Sequence, residues 1–163
     1  MLCVRDVMHT DLCRVERGET VADVARKLLF HDADSALVVD GEEPLGIVTG
    51  RELLGIVTDR DLLKAVLPTM AELTEADSFR AFNDLVAVAR DHFSEPVASV
   101  MTRPVRTIEA GASLIRALGT MLSGRFHHMP VVNAEGQVVG MVTQPDLLRA
   151  VFLEWQGGAA TAG

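Results

Sequence analysis

Basic residues are scarce in this chain. Fifteen lysines and arginines face 23 aspartates and glutamates, leaving a net charge of −8 and a pI near 5.0. A nucleic-acid surface needs clustered positive charge, so this balance excludes a nucleic-acid partner. Cysteine is scarce too. Cys3 and Cys13 have no short metal-type spacing and read as reduced thiols of a cytoplasmic protein. No long apolar run occurs near the start, MLCVRDVMHTD, so neither a signal peptide nor a membrane span is expected, and no membrane partner. No serine or cysteine sits in a recognisable activated setting, so nucleophilic catalysis has no support and no enzyme is expected. His127 and His128 are adjacent, but no further metal ligands follow at a telling spacing.

What is present is apolar and repetitive. Apolar residues make up 48% of the 163 residues, enough for one domain or two small ones sharing a core. Residues 45–62 read LGIVTGREL and then LGIVTDRDL, and residues 139–147 read VGMVTQPDL. Gly-Ile-Val-Thr suits a short buried strand. The Thr-x-x-Asp step after it suits a helix start, with a capping threonine and a carboxylate facing the free backbone N–H groups. Each copy therefore predicts a strand turning directly into a helix, a natural place to hold an anion or a sugar hydroxyl.

A longer repeat encloses these copies. Val7-Met8 recurs as Val100-Met101, 93 positions on, and the same offset carries Glu16-x-Gly18 onto Glu109-x-Gly111 and Val38-Val39 onto Val131-Val132. Each half is predicted to hold an irregular lead-in, a helix capped at Thr20 or Ser113, a strand over 36–39 or 129–132, a glycine-containing turn, the signature strand, and a helix over 60–66 or 145–152. Val21, Val24, Ala25, Leu28 and Leu29 fall at helical spacing, as do Leu114, Ala117, Leu118, Met121 and Leu122. The division is residues 1–67, a connecting helix within 68–96 carrying an apolar stripe from Phe79 to Phe93, residues 97–155, and a disordered tail over 156–163. The methionines read as core filler.

The tandem copy leaves two arrangements. In one, residues 41–44 turn a hairpin, copy one is an extra strand, and copy two enters the helix. In the other, copy one takes the sheet position and copy two melts into a longer helix. β-branched Ile56-Val57-Thr58 disfavours that helix, so the first is preferred. On it, deleting residues 45–53 should leave a folded protein.

These residues resemble a known family. The Val-Met lead-ins, Ser35-Ala36-Leu37-Val38-Val39 and His128-Met129-Pro130-Val131-Val132, with the Gly-x-x-Thr-x-x-Asp signatures, are similar to a pair of cystathionine-β-synthase (CBS) domains, the arrangement called a Bateman module. The resemblance implies an α+β fold of two β-α-β-β-α units. It also implies a stand-alone, homodimeric regulatory module, with clefts between the units that take adenosine-containing ligands: AMP, ADP, ATP, NAD or S-adenosylmethionine. Its partners would be a second copy and a regulated enzyme or transporter; no cofactor is required.

On that resemblance, Asp61 and Asp146 are candidate ribose ligands, because an ionised carboxylate can accept from both hydroxyls. Thr58 and Thr143 offer hydroxyls beside them. Ile56 and Met141 would flank a purine. The backbone around Ser35, Ala36, His128, Met129 and Pro130 could read the adenine edge. Thr107 matches the family's lead-in threonine, whereas its counterpart Arg14 departs from it. Arg60, Arg125, His127 and His128 are candidates for phosphate. Thr-x-x-Asp is equally an ordinary helix cap, and the two roles can coexist. An interaction module that dimerises without a ligand is the alternative function.

Overall fold

The computed structural model describes residues 2–40, 48–49, 52–66 and 82–160. The first half runs β1 (Arg14–Glu16), α1 (Val21–Phe30), β2 (Ser35–Val39), β3 (Leu53–Thr58) and α2 (Asp59–Val66). The second half repeats the order as β4 (Ile108–Glu109), α4 (Leu114–Gly124), β5 (His128–Val132), β6 (Val138–Thr143) and α5 (Gln144–Ala160), with α3 (Phe82–Ala89) between them. The β-α-β-β-α order expected from the repeat is present twice. Each sheet has three strands: β1 runs parallel to β2 and β3 antiparallel to it, and β4, β5 and β6 repeat that scheme.

Local chemistry explains the boundaries. Thr20 and Ser113 cap α1 and α4, accepting the backbone N–H groups of Asp23 and Arg116. Between β5 and β6, Asn133 Oδ1 accepts the N–H groups of Glu135 and Gln137 at 3.1 and 2.9 Å. Gly136 there has φ of 78°, a left-handed conformation that glycine adopts without a steric penalty.

Two compact units form, and neither is a continuous half of the chain. One comprises Cys13–Glu42 and Glu52–Pro104; the other comprises Met1–Leu12, Glu43–Arg51 and Val105–Gly163. Each lead-in thus packs on the repeat to which it is not joined. Val97 is fully buried in the first-half core with Val15, Val24, Val38 and Val57, and its N–H donates to the Glu19 carbonyl at 2.7 Å. Val4 is fully buried in the second-half core with Met121, Met129, Val131 and Val142, and its N–H donates to the Ala112 carbonyl at 2.9 Å.

Copy two of the duplication supplies β3 from Leu54 onward and leads into α2, as the propensity argument favours. Copy one divides between the two sheets: its last residue, Leu53, begins β3 opposite Val39, whereas Val48 and Thr49 pair elsewhere. The Val48 carbonyl accepts the Val138 N–H at 2.7 Å, and Thr49 bridges Gln137 in antiparallel sense, so these two residues add to the edge of the second-half sheet. Val48 is only 2% exposed. Deleting residues 45–53 would remove this core side chain, this backbone pairing and Leu53 of β3. The turn at 41–44, Phe79 and residues 161–163 lie outside the described residues.

The C-terminal helix also exceeds its expected end. α5 continues to Ala160, through residues assigned from composition to a disordered tail. Extending an existing helix adds one hydrogen bond per residue fixed, and Ala159 and Ala160 are good formers. The apolar helix stripes are wider than the faces buried: Leu29, Leu118 and Leu122 are exposed, while Val21, Val24, Leu28, Ala117 and Met121 are buried.

Candidate functional site

The strand-to-helix junction is built the same way in both units. At β3–α2, the Asp61 N–H donates to Thr58 Oγ1 at 3.2 Å, while Thr58 N–H and its hydroxyl both donate to Asp61 Oδ2 at 3.0 Å. At β6–α5, the Asp146 N–H donates to Thr143 Oγ1 at 3.3 Å, and Thr143 N–H and hydroxyl donate to Asp146 Oδ2 at 2.9 and 2.7 Å. This reciprocal box satisfies helix-start donors and fixes the carboxylate rotamer. The backbone locks the turn further: Asp59 N–H donates to the Asp34 carbonyl at 2.9 Å, and Gln144 N–H to the His127 carbonyl at 3.2 Å.

The lead-in segments reach these junctions. Thr102 and Ile56 exchange both backbone hydrogen bonds, at 2.8 and 3.1 Å; His9 and Met141 do the same, at 3.0 and 2.9 Å. Each pairing adds a one-residue edge to its sheet beside a signature glycine. An added Cβ at Gly55 would meet Met101 Sδ at 2.5 Å, and one at Gly140 would meet Met8 Sδ at 2.5 Å and the His9 carbonyl at 2.9 Å. At Gly140 another backbone's approach requires glycine, whereas at Gly55 the obstacle is the Met101 side chain. From this edge the Thr102 hydroxyl donates to Asp61 Oδ1 at 3.4 Å, and His9 Nδ1 lies 3.4 Å from Asp146 Oδ2.

Thr58, Asp61 and Ile56 therefore gather at one junction, and Thr143, Asp146 and Met141 at the other. Ile56 and Met141 are buried, as are the side chains of Ser35, Ala36, Met129 and Pro130. Ser35 and Ala36 extend past the β1 pairing, which starts at Arg14 opposite Leu37. His128, Met129 and Pro130 likewise extend past β4, whose pairing starts at Ile108 opposite Val131. Thr107 is half-buried just before β4. Arg60 is exposed in the first turn of α2; Arg125, at the end of α4 with φ of 55°, and His127 are exposed as well, while His128 is half-buried. His9 and Thr102 were not among the expected residues. The signal was available, since each follows a Val-Met pair and they lie 93 positions apart. Among the described residues, no cluster of three or more His, Cys, Asp or Glu side chains could hold a metal.

The model of the CBS domain family matches residues 4–54 and 97–153. An uncharacterised 17.7 kDa protein of Acidianus ambivalens is 26% identical over 149 residues, which are 91% of this chain and 73% of that protein. A homoserine O-acetyltransferase of Methanococcoides burtonii is 47% identical over 58 residues, only 12% of that enzyme. Among solved structures, the CBS-pair protein CBSX2 from Arabidopsis thaliana superposes with a TM-score of 0.68 at 24% identity, covering 94% of this chain and 96% of that one. CBSX2 has also been solved in complex with AMP. The CBS domain pair of protein MJ0100, in complex with 5′-methylthioadenosine and S-adenosyl-L-methionine, superposes with a TM-score of 0.64 at 19% identity over 94% of this chain and 98% of that one. With the family matched in both halves, and with two β-α-β-β-α units in the fold, this chain belongs to the CBS domain family as a tandem pair.

Proposed function

We propose that this chain is a regulatory module that binds an adenosine-containing ligand (AMP, ADP, ATP, NAD or S-adenosylmethionine) at one or both Thr-x-x-Asp junctions and does not turn it over. The observation that carries the reading is the orientation of the carboxylates. In both boxes the threonine bonds fall on Oδ2, so the cap holds the group in place while Oδ1 is not used by it. A ribose hydroxyl is a donor suited to such a fixed acceptor. The AMP-bound and S-adenosylmethionine-bound CBS pairs of the same fold support the choice of ligand class.

Passing the signal on requires that the ligand bind two states of the module with different affinity. The recipient would be a regulated enzyme or transporter in the cytoplasm. The exposed apolar side chains support homodimerisation as part of the same reading. Leu29, Phe30 and Leu63 are exposed on α1 and α2, and Ile115, Leu122, Leu148, Phe152 and Trp155 on α4 and α5. Such surface is rarely left open on a monomer. It also favours the second reading, a dimerising interaction module with no ligand.

A melting screen separates the two. A ligand at 100 times its Kd, bound only by the native state, stabilises by about 2.7 kcal/mol, a rise of roughly 5–10 °C for a chain of this size. No shift with AMP, ATP, NAD or S-adenosylmethionine, together with a dimer by light scattering, would leave the interaction module standing.

A further inference from the structure

The two junctions share one plan but differ at every point where a ligand would need an unoccupied group. Resting on the reading that these junctions take an adenosine ligand, we propose that binding is confined to the second-half unit, one ligand per chain, with Asp146 Oδ1, Thr107 and the Arg106 carbonyl as its open polar groups.

The first difference is in the carboxylates. Asp61 has both oxygens engaged, Oδ2 by Thr58 and Oδ1 by the Thr102 hydroxyl. At Asp146 the hydrogen bonds from Thr143 and the contact with His9 fall on Oδ2. The position 93 residues before Thr102 is His9, whose imidazole meets the oxygen already used by the cap. Among the described residues, Asp146 Oδ1 accepts no hydrogen bond, so a ribose hydroxyl displaces nothing there. At Asp61 it would share Oδ1 with the Thr102 hydroxyl, which lies 3.4 Å away.

The second difference is one proline. The Leu37 N–H donates to the Cys13 carbonyl at 2.9 Å, closing the end of β1. Ninety-three positions on, Pro130 stands for Leu37 and Arg106 for Cys13. Proline has no N–H, so the Arg106 carbonyl receives no such bond from β5. The sheet records the loss. β1 begins at Arg14, opposite Leu37, whereas β4 begins one repeat position later, at Ile108 opposite Val131. Thr107, the equivalent of Arg14, is thereby released from the ladder and keeps a short hydroxyl side chain where the first half has a long cation held in a strand.

Two independent differences, at the carboxylates and at Pro130, thus leave more unoccupied acceptors at the second junction than at the first. Calorimetric titration of the full chain with AMP, ATP, NAD and S-adenosylmethionine, each in turn, tests this. For the ligand that binds, one site per chain is expected. Asp146→Asn should weaken it tenfold or more, and Asp61→Asn by less than twofold. Pro130→Leu restores the N–H that closes Arg106 and should also weaken binding several-fold, with an unchanged or raised melting temperature showing that the fold is intact. Two equivalent sites per chain, or one site abolished by Asp61→Asn and spared by Asp146→Asn, overturns the asymmetry while leaving the proposed function in place. Failure of all four ligands, and of ADP, to bind overturns both.

Discussion

Asp146→Asn separates the two duties of this aspartate, because the cap and the ligand use different oxygens. Oδ2 accepts from Thr143 N–H and hydroxyl at 2.9 and 2.7 Å. The single carbonyl oxygen of asparagine can take that position, which places an NH₂ donor where Oδ1 stood. The helix start then loses only a favourable charge, about 0.3–1 kcal/mol. For a chain of this size that is a fall of roughly 1–4 °C in Tm. The ligand, by contrast, loses an ionised acceptor and meets a donor. A charge-assisted hydrogen bond contributes about 1.5–3 kcal/mol, so affinity should fall roughly ten- to a hundredfold. Asp146→Ala is the contrasting control. It also strips the partner from the Thr143 N–H in a buried residue, adding about 1–3 kcal/mol of instability. The expected order is thus a clear drop in Tm for alanine, a small one for asparagine, and weak binding for both. Calorimetry with the ligand and scanning of the free protein read the two quantities separately. A 2′- or 3′-deoxy ligand should lose affinity against wild type but little further against Asp146→Asn, since the interaction is already absent. If Asp146→Asn binds the wild-type ligand unchanged, the aspartate is a helix cap and nothing more.

Particular contacts set three further outcomes. Gly140→Ala should destabilise by about 1–3 kcal/mol, because its Cβ meets the His9 backbone carbonyl; Gly55→Ala should cost less, because the atoms it meets all belong to the flexible Met101 side chain. Equal urea midpoints for the two variants would refute that contrast. Val48→Ala should cost about 1.6 kcal/mol, two buried carbons, and a wild-type melt would show that copy one is not part of the second-half core. Asp23 is held below the usual carboxylate value of 3.8 chiefly by the Thr20 hydroxyl that donates to it. A depressed folded pKa adds stability above the unfolded value, lost as pH falls through the folded one. Asp23→Asn should therefore be less stable than wild type near neutrality and converge with it in acid below 3.8. A difference that persists undiminished in strong acid would assign the effect to something other than this ionisation.

Much of the fold is written in spacings that a single sequence exposes. The 93-residue offset fixes which elements are equivalent, and the Thr-x-x-Asp steps fix where strand turns into helix. Both depend on local chemistry: caps, β-branched residues, a turn glycine. The partners of the lead-ins are a different kind of fact. Val4 to His9 and Val97 to Thr102 are short extended or 3-10 pieces with no periodicity of their own. A repeat shows that they correspond, but not that each packs on the other's sheet, because exchanging two equivalent segments leaves the pattern unchanged. The same limit hid His9 and Thr102, whose importance lies in the carboxylates they reach across a bridge that sequence order does not reveal.

The duplicated pentapeptide makes the point most directly. LGIVT occurs at 45–49 and again at 54–58, with identical intrinsic propensities. Val57 of the second copy lies in β3 of one unit, while Val48 of the first pairs at the edge of the other unit's sheet. Propensity cannot separate them, so the choice must come from the residues behind each copy. After Thr58 comes Asp-Arg-Asp, with Asp61 placed to close the capping box. After Thr49 comes Gly-Arg-Glu, and Glu52 stands at the equivalent position. A glutamate can close such a box as well, but glycine at the first helical position is a poor start and aspartate there complements the free N–H groups. The helix signal is therefore stronger behind copy two, and a strand that must hand over directly to a helix takes the copy with the better start. Val48 and Thr49 of copy one lie outside that obligation and are available as an edge.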